Sequence, residues 1–264
     1  MQKYSIAKSL TNIILNNSRM KSSEWFESWF NTSYYHQLYC NRDEAEASAF
    51  ISRLIKFLKP KPDARFLDLA CGSGRHAIYI NKCGYQVTGI DLSEQSIQMA
   101  KLSETDNLHF IRGDMRKPIS GTKFDYIFNL FTSIGYFEKE EDDQKVIQSA
   151  SQMLNNGGVM VIDYLNKTKV IKDMVAEETI IRDNVCFELT RTFTDNKIIK
   201  RIQIEDGDKK FTFSEEVMAY SLSDFDKIFR KAEFEINNVF GNYHLNAFDE
   251  KTSDRLIMVA KKND

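Results

Sequence analysis

Three acids and a pair of glycines carry the chemistry open to this chain. Asp68, Asp91 and Asp114 stand in the segments Phe66-Leu67-Asp68-Leu69-Ala70, Val87-Thr88-Gly89-Ile90-Asp91-Leu92-Ser93 and Phe110-Ile111-Arg112-Gly113-Asp114-Met115. Gly72 and Gly74 follow the first acid, in Ala70-Cys71-Gly72-Ser73-Gly74-Arg75-His76-Ala77. Glycines at a strand end permit positive φ and close approach of a ligand to the backbone, and the next helix opens with unbonded N–H groups. The spacing Gly72-x-Gly74-x-x-Ala77 also fits a dinucleotide fingerprint, so the glycines alone leave two ligand classes open. The acids weigh between them. On parallel strands, all three carboxylates project from one sheet edge, where ligands of open α/β sheets bind. A pyrophosphate is disfavoured there. A ligand with an ammonium, ribose hydroxyls and an adenine amine is favoured: Asp91 can accept from both hydroxyls, Asp114 from the amine, and Asp68 can brace the loop facing the ammonium.

The elements that must hold these residues are legible as periodicity. Ala47, Phe50, Ile51, Leu54, Ile55 and Leu58 recur at helical spacing between Asp43 and Lys59, and Lys59-Pro60 ends the run. Phe66 to Ala70 reads as a buried strand, followed by the glycine turn and a helix from Arg75 to Lys82 closed by Gly84. Val87 to Ile90 is a second strand, and Ser93 caps a helix to Lys101. Leu108–Ile111, Phe124–Leu130 and Val159–Tyr164 are further strands. A long helix ending near Leu154 precedes the last, with Asn155-Asn156-Gly157-Gly158 as its stop and turn. This alternation predicts a parallel sheet with helices on both faces.

Between Glu178 and Tyr220 the period becomes two, with Phe187, Leu189 and Phe193, then Ile202 with Ile204, then Phe211 with Phe213. Asp183-Asn184, Asp195-Asn196 and Asp206-Gly207-Asp208 fall where hairpin turns belong. The spacing predicts an inserted antiparallel meander of three or four strands. A helix near Ser223–Lys231 and strands at Phe234–Phe240 and Arg255–Ala260 close the chain. The expected division is a leader at 1–42, an α/β domain at 43–177 with 221–264, and an inserted β subdomain at 178–220.

S-adenosylmethionine carries the three favoured groups, and NAD carries the disfavoured pyrophosphate. Asp68 to Gly74, Asp91, Asp114 and the strand Phe124-Asp125-Tyr126-Ile127 resemble the sequential motifs of class I S-adenosylmethionine-dependent methyltransferases. The resemblance runs continuously from Arg65 to Tyr164 and less specifically over the closing strands. It implies an α/β, Rossmann-like seven-stranded sheet in the order 3-2-1-4-5-7-6, with strand 7 antiparallel. It implies S-adenosylmethionine as cofactor, with Gly72 and Gly74 at the methionine moiety, Asp91 at the ribose, Asp114 with Met115 at the adenine and Asn129 near the sulfonium. Ala70 and Leu92 complete the expected cofactor set. Within the class the chain is similar to small-molecule-type bacterial enzymes with a β insertion after strand 5. Asn129-Leu130-Phe131-Thr132 departs from the Asn-Pro-Pro-Tyr of branches that methylate adenine and cytosine, which argues against a nucleic-acid base. The expected activity is methyl transfer to nitrogen or oxygen of a small molecule. The alternatives are an NAD-dependent oxidoreductase and a non-catalytic S-adenosylmethionine-binding protein.

The leader is rich in aromatic residues: Trp25, Phe26, Trp29, Phe30, Tyr34, Tyr35 and Tyr39, followed by Arg42. The first tryptophan and phenylalanine pairs read as a strap over the sheet edge. Tyr39 and Arg42, three apart, would share a helical face. In the resembling enzymes such residues close over the cofactor, the guanidinium on the methionyl carboxylate and the aromatic face on the sulfonium. Methyl transfer from a sulfonium is an in-line displacement with a good leaving group, so positioning and exclusion of water supply most of the acceleration. No general base is assigned. His36, Phe131, Tyr243 and His244 are the candidates for the acceptor side, while His76 and His109 read as structural. The meander is expected on the acceptor side as well, its strands alternating apolar residues with Lys200, Arg201, Glu205, Glu215 and Glu216 as in a sheet with one buried and one wet face.

Composition excludes several classes. With 264 residues, 42% of them hydrophobic, the chain can bury a large core. A formal net charge of -2 and a pI of about 6.2 carry no nucleic-acid signature. Cys40, Cys71, Cys83 and Cys186 lack CxxC spacing, which predicts free thiols in the cytoplasm and no metal site. No apolar run approaches the roughly 20 residues of a membrane helix. Residues 1–23 carry Lys3, Lys8, Arg19 and Lys21 with no opposing acid and read as a short surface helix or extension rather than a transit peptide. A homodimer through the insertion is the candidate assembly.

Overall fold

The computed structural model describes residues 25–39 and 44–263. The readings for residues 1–23, Cys40 and Arg42 lie outside them. Two short helices, α1 (Trp25–Phe30) and α2 (Ser33–Leu38), precede α3 (Glu44–Leu58). Then β1 (Arg65–Leu69), α4 (Arg75–Lys82), β2 (Gln86–Asp91), α5 (Glu94–Lys101), β3 (Leu108–Arg112) and β4 (Phe124–Asn129) follow in alternation. The α/β part continues with α6 (Glu140–Met153), β5 (Leu154–Leu165) and α7 (Lys167–Lys172). After the insertion it closes with α8 (Leu222–Arg230), β10 (Phe234–Phe240) and β11 (Arg255–Lys262).

The main sheet has seven strands in the order β10-β11-β5-β4-β1-β2-β3, with β11 antiparallel to both neighbours and the remaining pairings parallel. This is the expected 3-2-1-4-5-7-6 order. Strands covered on both faces need apolar residues on both. Leu67 and Leu69 of β1 belong to one core with Ile147 and Ala150 of α6, and Phe66 belongs to the other with Ile51 and Leu54 of α3 and Ile80 of α4. Asp68 is the exception among the buried residues of β1, an acid only 1% exposed.

Asn155-Asn156-Gly157-Gly158 does not stand apart as a turn. Leu154 already pairs with Phe124, and the register shifts before Tyr126 meets Val159. Gly157, at φ 69, helps absorb the extra residues as an irregularity within β5.

The second sheet is a four-stranded antiparallel meander, β6 (Glu177–Arg182), β7 (Val185–Thr194), β8 (Lys197–Asp206) and β9 (Lys209–Met218). Its first two turns are the Asp-Asn pairs, with φ of 45 and 66 at Asp183 and Asn184 and 50 and 58 at Asp195 and Asn196. Positive φ at both central residues matches the strand twist. Val185, Phe187, Leu189, Ile202 and Ile204 pack against Trp29 and Leu38. Trp29 of the leader therefore covers the meander rather than the edge of the main sheet, its ring 4.7 Å from that of Phe213. Lys200 and Glu215 are not on the wet face. Register puts them beside Ile202 and Phe213 on the face that meets the leader.

Candidate active site

The turn after β1 is built for close approach. Ala70, Gly72 and Gly74 have φ of 59, 55 and 85. At Gly74 a Cβ would stand 2.5 Å from Phe110 Cζ, so glycine is required by packing as well as by φ. At Gly72, which lines the cavity, a Cβ would meet nothing within 4 Å. The turn is fixed from below and from the side. Asp68 Oδ2 accepts from the Ala77 N–H of α4 at 3.2 Å, and burial pushes the Asp68 carboxyl up to about 7 despite that bond. Asp91 accepts from Gly72 N–H and Ser93 N–H, both at 2.8 Å; burial raises its pKa, and these bonds oppose the rise. Asn129, fully buried at the end of β4, donates from Nδ2 to Leu69 O at 3.0 Å. Its Oδ1 is buried without a hydrogen-bond partner.

The cavity holds about 370 Å³, within the range of small-molecule sites. Ala70, Gly72, Asp91, Leu92, Asp114 and Met115 line it. Asp114 is clamped by Arg116, whose Nη2 lies 2.6 Å from Oδ2 and whose guanidinium sits 4.7 Å over the Phe137 ring. Burial opposes ionisation of Asp114, but the Arg116 hydrogen bonds outweigh it and hold the carboxyl below its ordinary range. Phe30, Tyr35, His36 and Tyr39 from the leader, with Tyr136 and Phe137 beyond β4, form an aromatic rim on the same cavity. Phe30 lies edge-on to Tyr35 at 4.9 Å and to Tyr136 at 5.6 Å.

Phe131 forms another wall. It and Thr132 have φ of 68 and 57, sparsely populated for such residues. Asp163, at the end of β5, holds them: Oδ2 accepts from Phe131 N–H at 2.9 Å and from Tyr243 hydroxyl at 3.1 Å, and its carbonyl accepts from Thr132 N–H at 2.9 Å. Arg255 completes the knot, Nε 2.8 Å from Asp163 Oδ1 and Nη2 donating to Thr132 Oγ1 at 2.8 Å. A second buried acid ties the loop to the meander's root. Asp143 accepts from Gly135 N–H and from Tyr220 hydroxyl, both at 2.8 Å, and burial pushes its carboxyl up to about 7. Met218 N–H donates to Gly135 O at 2.8 Å, and the Tyr164 hydroxyl donates to Met218 O.

Several expected residues thus meet at one cavity, and others stand behind it. Asp68, Gly74 and Asn129 shape the turn without lining the space. Tyr39 lines it, but α2 ends at Leu38, so Tyr39 is the cap of that helix and not part of its face. His36 and Phe131 line the cavity; Tyr243 does not, and backs Phe131 with its ring 6.4 Å away and stacked. His244 is exposed and lies outside the cavity lining. Among the described residues no cluster of His, Cys, Asp and Glu could hold a metal. Asp163, Arg255, Asp143 and Tyr220 are additional site residues, and an acid within the apolar strand Val159–Tyr164 is the signal in the sequence for the first of them.

The donor set suits an amino-acid nucleoside better than a dinucleotide: a strand-end carboxylate at each of two positions along one wall, and an orphaned acceptor on Asn129 beside the turn. Comparison with known proteins agrees. YqeM of Bacillus subtilis (strain 168), which bears a methyltransferase name without a stated acceptor, is 24% identical over 210 residues, 75% of this chain and 84% of that protein. The dTDP-3-amino-3,4,6-trideoxy-alpha-D-glucopyranose N,N-dimethyltransferase of Streptomyces venezuelae is 32% identical over 123 residues, 46% of this chain and 51% of the relative. The crystal structure of a S-adenosylmethionine-dependent methyltransferase from Clostridium acetobutylicum ATCC 824 shares the fold, with a TM-score of 0.74 at 22% identity over 88% of this chain and 96% of that one. Neither the oxidoreductase nor the non-catalytic alternative finds support among these relatives. A family model described as a methyltransferase domain matches residues 60–233, and this chain belongs to that methyltransferase family.

Proposed function

We propose that the chain transfers a methyl group from S-adenosylmethionine to a nitrogen or oxygen of a small molecule. The observation that carries the reading is the cradle at Gly72, open where a Cβ would stand, on a cavity also walled by Asp91 and Asp114. S-adenosylmethionine, when bound, supplies a methyl group activated by a sulfonium. The chain's residues then bind and orient. Ala70 and Gly72 admit the methionyl part, Asp91 with Leu92 takes the ribose, and Asp114 with Met115 takes the adenine edge. Asp68, Gly74 and Asn129 hold the turn in shape. Tyr39, His36 and Phe131, with the aromatic rim, exclude water from the transfer. Arg42 is kept as the proposed partner of the methionyl carboxylate.

Amino sugars are the acceptors to try first, because the Streptomyces venezuelae relative is named for one and a fold neighbour from Micromonospora echinaspora is an amino pentose methyltransferase. The free thiols Cys71, Cys83 and Cys186 support a cytoplasmic setting. We keep the division into leader, α/β domain and insertion, on the ground that the two sheets are separate. A homodimer through the insertion would use surface away from the leader, such as Ile181 on β6, 69% exposed. The test is calorimetry with S-adenosylhomocysteine and NAD, then incubation with labelled S-adenosylmethionine and amino-sugar nucleotides. Binding of S-adenosylhomocysteine without NAD binding is expected. Failure to bind S-adenosylhomocysteine overturns the reading.

A further inference from the structure

The meander carries a charged pair where its neighbours are apolar. Lys200 on β8 and Glu215 on β9 are direct cross-strand partners, their Nζ and Oε2 atoms 2.8 Å apart and their side chains 18% and 12% exposed. The next pairs on the same face are Ile202 with Phe213 and Ile198 with Val217. Stripping water from two charges is costly, and an apolar pair of similar volume is often equally or more stabilising. Packing of the meander alone therefore gives no reason for lysine and glutamate here.

The partners supply one. Glu215 Oε1 accepts from Trp29 Nε1 at 2.7 Å and from the Tyr39 hydroxyl at 2.7 Å, and Oε2 lies 2.8 Å from the same hydroxyl. Lys200 Nζ donates to the Tyr39 oxygen and stands 4.9 Å from its ring centroid. Burial works against the charge on Glu215, and Lys200 with these donors more than compensates. Tyr39 links the inserted sheet to the cavity. Its hydroxyl is gripped by the inserted sheet, and the residue lines the cavity together with Tyr35, whose ring is 5.0 Å away.

We infer that Lys200 and Glu215 are positioning residues for the methyl-donor pocket, acting through the Tyr39 hydroxyl to fix one wall of the cavity. The inference rests on the proposed S-adenosylmethionine site. Fixing a wall in advance removes an ordering cost from binding, so its loss shows as weaker ligand affinity rather than as unfolding.

The experiment titrates S-adenosylhomocysteine into the full chain by calorimetry and records the melting temperature of each variant. Lys200→Met combined with Glu215→Leu should lower the melting temperature only modestly, because Trp29 Nε1 loses its acceptor, while weakening S-adenosylhomocysteine roughly 10-fold. Tyr39→Phe, which leaves Trp29 and Lys200 on Glu215, should weaken it by a similar factor of roughly 10 with little change in melting. Adding Tyr39→Phe to the paired substitution should cost nothing more, because both act through one hydroxyl. Wild-type affinity in the paired variant, or losses that simply add, would overturn the inference. Should the paired variant not fold, Tyr39→Phe decides alone, and unchanged affinity there overturns it. Absence of S-adenosylhomocysteine binding to the wild type strikes the cofactor reading instead.

Discussion

The Gly72 N–H donates to Asp91 Oδ2 at 2.8 Å, so the turn after β1 is pinned to the end of β2 by the same carboxylate that faces the cavity. Asp91→Ala removes the ribose acceptor and releases the turn together. The expected loss in S-adenosylhomocysteine affinity is about 10- to 100-fold, or about 1.5–3 kcal/mol, read by calorimetry. Asp91→Asn keeps one acceptor oxygen and should lose less. An Asp91→Ala variant with wild-type affinity removes Asp91 from the ribose site.

The two turn glycines should fail in different ways. Gly74→Ala combines left-handed backbone strain with a Cβ 2.5 Å from Phe110, and should lower stability by about 2–4 kcal/mol in urea titrations. Gly72→Ala meets no atom and bears only the strain at φ +55, about 1–2 kcal/mol, but places a methyl group in the cradle. Its affinity for S-adenosylhomocysteine should fall much further than its melting temperature. Equal behaviour of the two variants would remove Gly72 from the ligand's path.

Asp68 and Asp143 give the protein an acid-favouring component of stability. Burial raises each carboxyl from 3.8 to about 7, so between those values the folded state binds more protons than the unfolded. Their contribution is complete below the unfolded pKa, declines as pH rises and is lost once pH passes about 7. Each can account for up to roughly 1.4 kcal/mol per pH unit across that window. Unfolding measured from pH 5 to 8 should therefore show a shallower decline in Asp143→Asn than in the wild type. Parallel slopes would mean that Asp143 ionises freely in the fold.

Asp163 should be the most damaging single acid to remove. Asp163→Ala leaves the Arg255 guanidinium and the Phe131 N–H without their carboxylate, which should cost about 3–5 kcal/mol. Replacing Arg255 by Leu in the same chain should recover part of that loss, because no uncompensated cation remains. Urea titrations of the single and double variants check this. A double variant no more stable than the single would show that Asp163 acts through the Phe131–Thr132 backbone rather than through Arg255.

What could be read ahead follows from the range of each interaction. The individual strands and the glycine turn were legible because they are short-range patterns, whereas the strand order came only with the resemblance to class I methyltransferases. Of the three acids, Asp91 and Asp114 line the cavity and Asp68 stands behind it. Asp163 was hidden because its partner Arg255 lies 92 residues away, and Asp143 because its position among four acids opening α6 looks like ordinary helix-end charge. Tyr220, its partner, is 77 residues distant. Lys200 and Glu215 break the alternation, each two residues from apolar neighbours on its own strand, which was a usable local signal, but their partners Trp29 and Tyr39 lie more than 150 positions away. The helix expected to join Tyr39 and Arg42 stops earlier, at Leu38, where Tyr39 takes φ -106 and ψ 20.

The bond from Trp29 to Glu215 spans 186 positions, which sets an order of assembly on the ribosome. At a synthesis rate of about 5–20 residues per second, the leader helices wait roughly 10–40 s for β9 to emerge. Through that interval Trp29 Nε1 lacks its Glu215 acceptor, although the apolar partners on β7 and β8 emerge earlier. Strands β1 to β4 are complete well before then, so the grip of Glu215 on Tyr39 forms after them. A nascent chain stalled before Glu215 would have the glycine turn and its acids but an open mouth, and pulse proteolysis of stalled chains should cut at the leader first.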